Sequence, residues 1–149
     1  KGIMNSVVNK EIELEYVLED QIGYLLRLAS QRHSIIFQKY AVESMTPTQF
    51  TTLIRVAEIG EVSQNHLGRL AAMDVATIKG VVDRLKTKYL IKSQPDKVDK
   101  RRTVISLTAN GKALVLDLRA TGLLITSETI APLTPKERVT LVSLLRKIS

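Results

Sequence analysis

No cysteine occurs anywhere in the 149 residues. Disulfides, thiolate nucleophiles, cysteine redox switches and most structural zinc sites are excluded together. Tryptophan is also absent, and the two histidines, His33 and His66, lie far apart in sequence, so a metal centre built on histidine is not expected. Aromatic residues reach only 4% against 44% hydrophobic residues, which leaves Leu, Ile, Val and Ala to build a core. That composition suits helices. No apolar run is long enough to span a bilayer and no signal-peptide pattern opens the chain, so a cytoplasmic protein without a membrane partner is expected. Nucleophile–base pairs, phosphate-cradling glycine loops and metal-ligand spacings are missing too, so neither an enzyme nor a cofactor is expected.

What the chain does have is positive charge in one place. The net charge is +7, and residues 74–108 alone hold nine cations and four acids. A local excess of this kind is the electrostatic footprint of nucleic-acid binding, although an anionic membrane surface or plain solubility would also fit it. The densest point is the stretch VDKRRTVISLT, residues 98–108. It reads either as a solvated turn or as a basic finger aimed at a polyanion.

The periodicity gives the setting. From near Asp20, the residues Ile22, Leu25, Leu26, Ala29, His33, Ile36, Phe37 and Tyr40 follow one helix face. Thr46 as N-cap and Pro47 at the first helical position open a second helix that Gly60 ends. Two short helices follow, capped by Ser63 and Asp74, with only Ala72 and Met73 between them for a turn. Leu67, Leu70 and Ala71 form the inner face of the first; Ile78, Val81, Val82, Leu85 and Tyr89 form that of the second. Such a pair should cross steeply as a helix-turn-helix. The period then drops from 3.6 to 2, with Thr103, Ile105 and Leu107 on one strand face and Val104 and Ser106 on the other. Pro95 and Asp96 mark the turn of a hairpin. Thr108 and Gly111 open another helix bearing Leu114, Leu118 and Leu124, and Thr134, Pro135 and Glu137 form a capping box for the last, which runs through Val139, Val142 and Leu145. The predicted fold is mainly α with a small β-hairpin, a winged helix-turn-helix.

With its inner stripe subtracted, the second short helix presents Ala76, Thr77, Lys79, Gly80, Asp83, Arg84 and Lys86. Small residues at Ala76 and Gly80 let a helix sink into a major groove, Thr77 can touch a base edge or methyl group, and the cations flank phosphates. At the hairpin tip, Lys100, Arg101 and Arg102 supply charge, and Arg101 can enter a narrow minor groove. Asp99 opposes that attraction. Its expected role is to fix the loop by accepting backbone or arginine hydrogen bonds, with Arg84 or Arg102 as partner.

These pieces resemble the MarR-type winged-helix regulators. TPTQFTTLIRVAEIG, LGRLAAMDVATIKGVVDRL, DKRRTVISLTANGKAL and LTPKERVTLVSLL stand in the order of that family, and the resemblance covers nearly the whole chain. Its most specific part is Asp99-x-Arg101 followed by Leu107-Thr108-x-x-Gly111, the family's wing signature. The resemblance implies one MarR-like domain over residues 1–149. Residues 46–108 would form the DNA-binding lobe, and 11–45 with 109–149 the dimerisation region. It also implies a homodimer on a pseudo-palindromic DNA operator, Arg101 in the minor groove, Asp99 bracing the wing, and Thr77 and Arg84 on the recognition helix. Two positions depart from the family: Tyr89 stands where it usually has Gly, and Ser93 where it commonly has Arg, leaving Lys92 to supply that charge.

Relatives of this type often release DNA when a small anionic, frequently aromatic, effector binds. LLRLASQRHSIIFQKY is similar to the branch linked to aromatic-acid catabolism. His33 on its apolar stripe, with Arg27 and Arg32 along the helix and Phe37, Tyr40 and Phe50 beside it, would suit an aromatic carboxylate or its thioester. The competing reading makes His33 an ordinary core or interface residue. The absence of cysteine argues against a thiol-oxidation switch. The expected function is thus a ligand-responsive repressor; the alternative is a winged-helix protein-interaction module without specific DNA reading.

Overall fold

The computed structural model describes residues 14–149, which divide into two compact units, one ending at Ile35 and the other Ile36–Ser149. Among the described residues, the first unit holds a 3-10 turn, Leu18–Asp20, and the beginning of helix α1, Ile22–Tyr40. Its described apolar positions Ile22, Leu25 and Leu26 are exposed; burial on the α1 stripe begins only at Ile36 and Phe37. Residues 11–13 of the expected dimerisation segment lie outside the described residues.

The second unit carries α2 (Pro47–Ile59), β1 (Val62–Ser63), α3 (Gln64–Leu70), α4 (Val75–Thr87), β2 (Ile91–Pro95), β3 (Thr103–Leu107), α5 (Ala109–Thr129) and α6 (Pro135–Ile148). Each helix starts where a side chain takes over an orphan backbone N–H. Thr46 and Thr134 make full capping boxes with Gln49 and Glu137, Ser63 accepts from His66 N, Asp74 from Thr77 N, and Thr108 from Gly111 N. All five caps except the Gln49 half of the first were legible in the sequence.

The expected hairpin is present, but a third strand joins it. The sheet order is β1-β3-β2, all antiparallel, with Val62 opposite Ile105 and Ser63 opposite Val104. β3 is therefore hydrogen-bonded on both edges, and α2, α3 and α5 all pack against it. The strand read at residues 103–107 is present, and both of its faces are covered: Val104, Ile105 and Ser106 are all buried. The core gathers Leu53, Val56, Leu67, Ile78, Val82, Leu85, Ile105 and Leu118, so α2, α3, α4, the sheet and the root of α5 share one interior. Cutting a completely buried leucine such as Leu85 to alanine would cost about 2–5 kcal/mol.

Both short helices stop in the same way. At the end of α3, Ala72 adopts φ 55° and Met73 N donates to Gly68 O. At the end of α4, Tyr89 adopts φ 58°, Tyr89 N donates to Lys86 O and Leu90 N to Leu85 O. These are Schellman endings whose left-handed residue is usually glycine. The turn that glycine usually closes is thus built here with tyrosine, at a strain of about 1–2 kcal/mol. That geometry also corrects the inner stripe of α4. The left-handed turn swings Tyr89 out of helical register, and it is 75% exposed.

Candidate nucleic-acid interface

Helix α4 presents two sharply different faces. Ile78, Val81, Val82 and Leu85 are buried, whereas Ala76, Thr77, Lys79, Asp83 and Arg84 are exposed and Gly80 is half-buried. The first turn is held by Asp74, whose carboxyl takes Thr77 N at 2.7 Å. The hydrogen bond from the Thr77 backbone, then that from its side chain, holds the Asp74 carboxyl below its ordinary value. Gly68 lets α3 come close to α4, since a Cβ there would meet Ile78 Cγ2 at 3.1 Å and Met73 O at 3.2 Å. That contact has no periodic signature and was not read from the sequence.

The wing leaves the sheet at Pro95 and returns at Thr103. Within the loop, Asp96 N donates to Arg102 O, Val98 N to the Asp96 carboxylate at 2.9 Å, and Arg102 N to Asp99 O. Asp99 takes three bonds from a single residue: Arg101 N and Nε each at 3.1 Å on Oδ1, and Nη2 at 3.4 Å on Oδ2. The expected brace is thus present, but its partner is Arg101 rather than Arg84 or Arg102. A two-residue separation at a tight turn puts carboxylate and guanidinium side by side, whereas Arg84 belongs to another element. The Arg101 side chain, through its hydrogen bond and then its backbone N–H, lowers the Asp99 carboxyl below the ordinary range, with the Arg102 charge adding to this. The finger is an ordered loop whose arginine side chain remains 91% exposed.

Charge at this surface is largely unneutralised. Of the nine cations in residues 74–108, Arg101 is the one in an ion pair among the described residues. Lys79, Arg84, Lys92, Lys97, Lys100 and Arg102 are exposed. Lys92 sits in β2 opposite Ser106, and Ser93 opposite Ile105, which places Lys92 on the sheet face away from Ile105.

The junction of wing and α5 explains the Leu-Thr-x-x-Gly part of the signature. Thr108 Oγ1 donates to Tyr89 O at 2.6 Å while accepting from Gly111 N at 3.0 Å, so one hydroxyl ties the end of α4 to the start of α5. A Cβ on Gly111 would collide with the carbonyl oxygen of Leu90.

Of the residues expected to line an effector site, the three aromatics gather in the second unit. Phe37 and Phe50 meet edge to face, centroids 5.8 Å apart, in a cluster with Ile36, Ile125 and Tyr40. Gly122 of α5 leaves room for Phe50, whose Cζ would lie 3.1 Å from an added Cβ. Lys39 Nζ pairs with Glu128 at 3.1 Å, an ion pair the sequence reading missed because its members are 89 residues apart. Hydrogen bonding to Glu128, reinforced by its charge, raises Lys39; hydrogen bonding to Glu128 also raises the Tyr40 phenol. In the first unit Arg27 lies over the Tyr24 ring at 5.6 Å, Arg32 is exposed and His33 is half-buried. Among the described residues there is no cluster of three or more His, Asp or Glu able to hold a metal, and no helix long and apolar enough to cross a membrane.

Comparison with known proteins agrees with this geometry. The MarR family profile matches residues 45–103. The HTH-type transcriptional repressor NicR of Pseudomonas putida is 39% identical over 134 residues, covering 89% of this chain and 85% of that protein. A probable transcriptional regulator from Pseudomonas aeruginosa superposes with a TM-score of 0.86 at 43% identity, covering 89% of this chain and all (100%) of that one. Bordetella bronchiseptica BpsR, whose DNA binding is regulated by 6-hydroxynicotinic acid, superposes at 0.85 with 38% identity over 91% of this chain and 97% of that one.

Proposed function

The chain belongs to the MarR family of transcriptional regulators, and from that premise we propose that it is a homodimeric repressor. It binds a pseudo-palindromic operator and is released by a small aromatic carboxylate. One observation carries the DNA-reading assignment. An exposed α4 face of small residues, Thr77 and cations, and a finger with Arg101 at its tip, are built on one shared core, and of the window's nine cations only Arg101 is in an ion pair among the described residues. Thr77 and Ala76 would meet base edges, Gly80 would allow close approach, and Lys79, Arg84, Lys92, Lys100 and Arg102 would meet phosphates. Arg101, held by Asp99, would enter the minor groove. Residues 46–108 would then be the DNA-binding lobe of a cytoplasmic regulator.

Helix α6 supports the dimer. None of its described residues is buried, yet Val139, Leu141, Val142, Leu144, Leu145 and Ile148 give it an apolar surface. A 14-residue helix is marginal without packing, so it calls for a partner element, for which a second copy is the natural source. Residues 11–45 and 109–149 would form that dimerisation region.

Release would be a population shift. Two recognition helices must stand about one DNA turn apart, ~34 Å. A ligand preferring another spacing lowers DNA affinity by its differential affinity for the two states and no more. Arg27, Arg32 and His33 along α1 would meet a carboxylate, and Phe37, Tyr40 and Phe50 its ring. 6-Hydroxynicotinic acid, which regulates the similar BpsR, is the first ligand to try. The test is binding to the chain's own upstream promoter DNA and to a scrambled duplex, with and without that acid, across a salt series. Sequence-selective, salt-steep binding that the ligand weakens supports the proposal. Sequence-blind binding indifferent to salt favours a protein-interaction module, and a ligand that binds without changing operator affinity sinks the release mechanism.

A further inference from the structure

Lys88 is one of the nine cations of the basic window, but it does not face outward with the others. It is the C-cap of α4, and its ammonium turns back across the second unit. Nζ donates to Glu43 O at 3.0 Å, to Ser44 O at 3.4 Å and to Gln49 Oε1 at 3.0 Å. An ammonium has three protons and no acceptor capacity, so these three oxygens satisfy it completely. None is a carboxylate, so the arrangement is a tether rather than an ion pair.

What the tether holds is itself unusual. Glu43 and Ser44 are consecutive non-glycine residues, both at φ 53°, in the linker between α1 and α2. Such a pair persists only where its surroundings over-determine it. Their two carbonyls are the ones Lys88 gathers. The third acceptor, Gln49 Oε1, also receives Thr46 N at 3.4 Å as part of the α2 capping box, and Gln49 is buried at 4% exposure. One ammonium therefore joins the strained linker, the first turn of α2 and the last turn of α4. At the next residue, Tyr89 O takes the Thr108 hydroxyl, so the end of α4 is held from two sides.

We propose that Lys88 is a positioning residue that locks the end of the recognition helix to the linker 41–46, and that its charge is not offered to DNA. Any displacement of the linker is then transmitted to the end of α4. The inference rests on the DNA-reading assignment of α4 for its consequence, but not for the tether.

Two variants separate the possibilities. Lys88→Met keeps the length of the side chain and removes its donors. Lys88→Arg keeps the charge and serves phosphate well, but offers a planar fork to three oxygens arranged for an ammonium. Hydrogen exchange of the protein alone comes first. The amides of Met45, bonded to Val42 O, and Leu90, bonded to Leu85 O, should exchange faster in both variants than in the parent chain. Unchanged exchange at both amides overturns the tether, whatever happens with DNA. Operator binding follows. Both variants should lose roughly tenfold in operator affinity while binding to a scrambled duplex hardly changes and the salt slope stays at the parent value. A uniform loss on both duplexes in Lys88→Met, with a slope shallower by about 0.9 and full retention in Lys88→Arg, would make Lys88 a phosphate contact and overturn the proposal. Raised exchange with unchanged operator affinity overturns the transmission to α4.

Discussion

Arg101 is held by Asp99 through its backbone and its side chain at once, with N and Nε both 3.1 Å from Oδ1. The finger is therefore arranged before any partner arrives, and less ordering entropy opposes binding. Arg101→Ala should weaken operator binding about tenfold or more and reduce the salt slope by about one contact. Asp99→Asn tests the brace separately. It removes a negative charge from the DNA side, so pure electrostatics predicts tighter binding, whereas loss of the brace predicts weaker operator binding with scrambled-duplex binding unchanged or stronger. The second result is expected, and fluorescence anisotropy on the two duplexes measures both.

Two glycines should respond in opposite directions. Gly80 has open space where a Cβ would stand, so Gly80→Ala should raise stability by about 1 kcal/mol through helix propensity. Operator affinity should fall in the same variant if this face enters a groove. Gly111→Ala drives a methyl into the Leu90 carbonyl and should cost about 3 kcal/mol, with the wing–α5 junction displaced. Denaturant unfolding beside operator titration checks the pair.

Tyr89 offers a stabilising substitution. Its left-handed backbone suits glycine, and its exposed side chain packs little. Tyr89→Gly relieves the strain but gives the unfolded chain more freedom, so a net gain of up to about 1 kcal/mol is expected. A loss of stability on thermal unfolding would show that the ring makes a contact worth more than the strain.

Acid should loosen the helix starts. The Thr77 backbone N–H lowers the Asp74 carboxyl, and the Thr134 backbone N–H lowers the Glu137 carboxyl. Both groups hold protons less tightly when folded than when unfolded, so stability rises with pH across their titration. Their contributions are complete above the ordinary values of 3.8 and 4.5 and are lost as pH falls through the depressed folded values. Asp74→Asn keeps an acceptor at the N-cap without the titration, and its acid limb should be flatter than the parent's in denaturant unfolding followed against pH.

Most of the fold was legible because it is written in local chemistry. Thr46-Pro47, Ser63, Asp74, Thr108 and Thr134-Pro135 each announce a helix start by a bond three residues long, and the change of period at residues 103–107 announces a strand. What failed was non-local. The third strand is only Val62–Ser63, too short for any alternation to show, and it pairs with Ile105 and Val104 of β3. Tyr89 was placed on the inner stripe because helical counting continues past a helix stop that glycine did not mark. In the wing, Asp99 and Arg101 were legible as a pair of roles, but their mutual contact depended on a loop conformation that spacing does not determine. Lys88 and Lys39 looked like surface cations, and their partners lie across long separations in the chain.

Ser63 ends β1 opposite Val104 and, by accepting from His66 N, starts α3. Strand β1 and helix α3 meet in that residue with no linker between them, and α3, α4 and the strands share one core. The interval between the exposed face of α4 and the tip of the finger is therefore a dimension of the protein, like the tooth pitch of a gear. A duplex engaging both elements meets them at a set phase. In the proposed dimer, tolerance for altered spacing inside one half-site would come from bending of the duplex, and tolerance for altered spacing between half-sites from the separation of two copies.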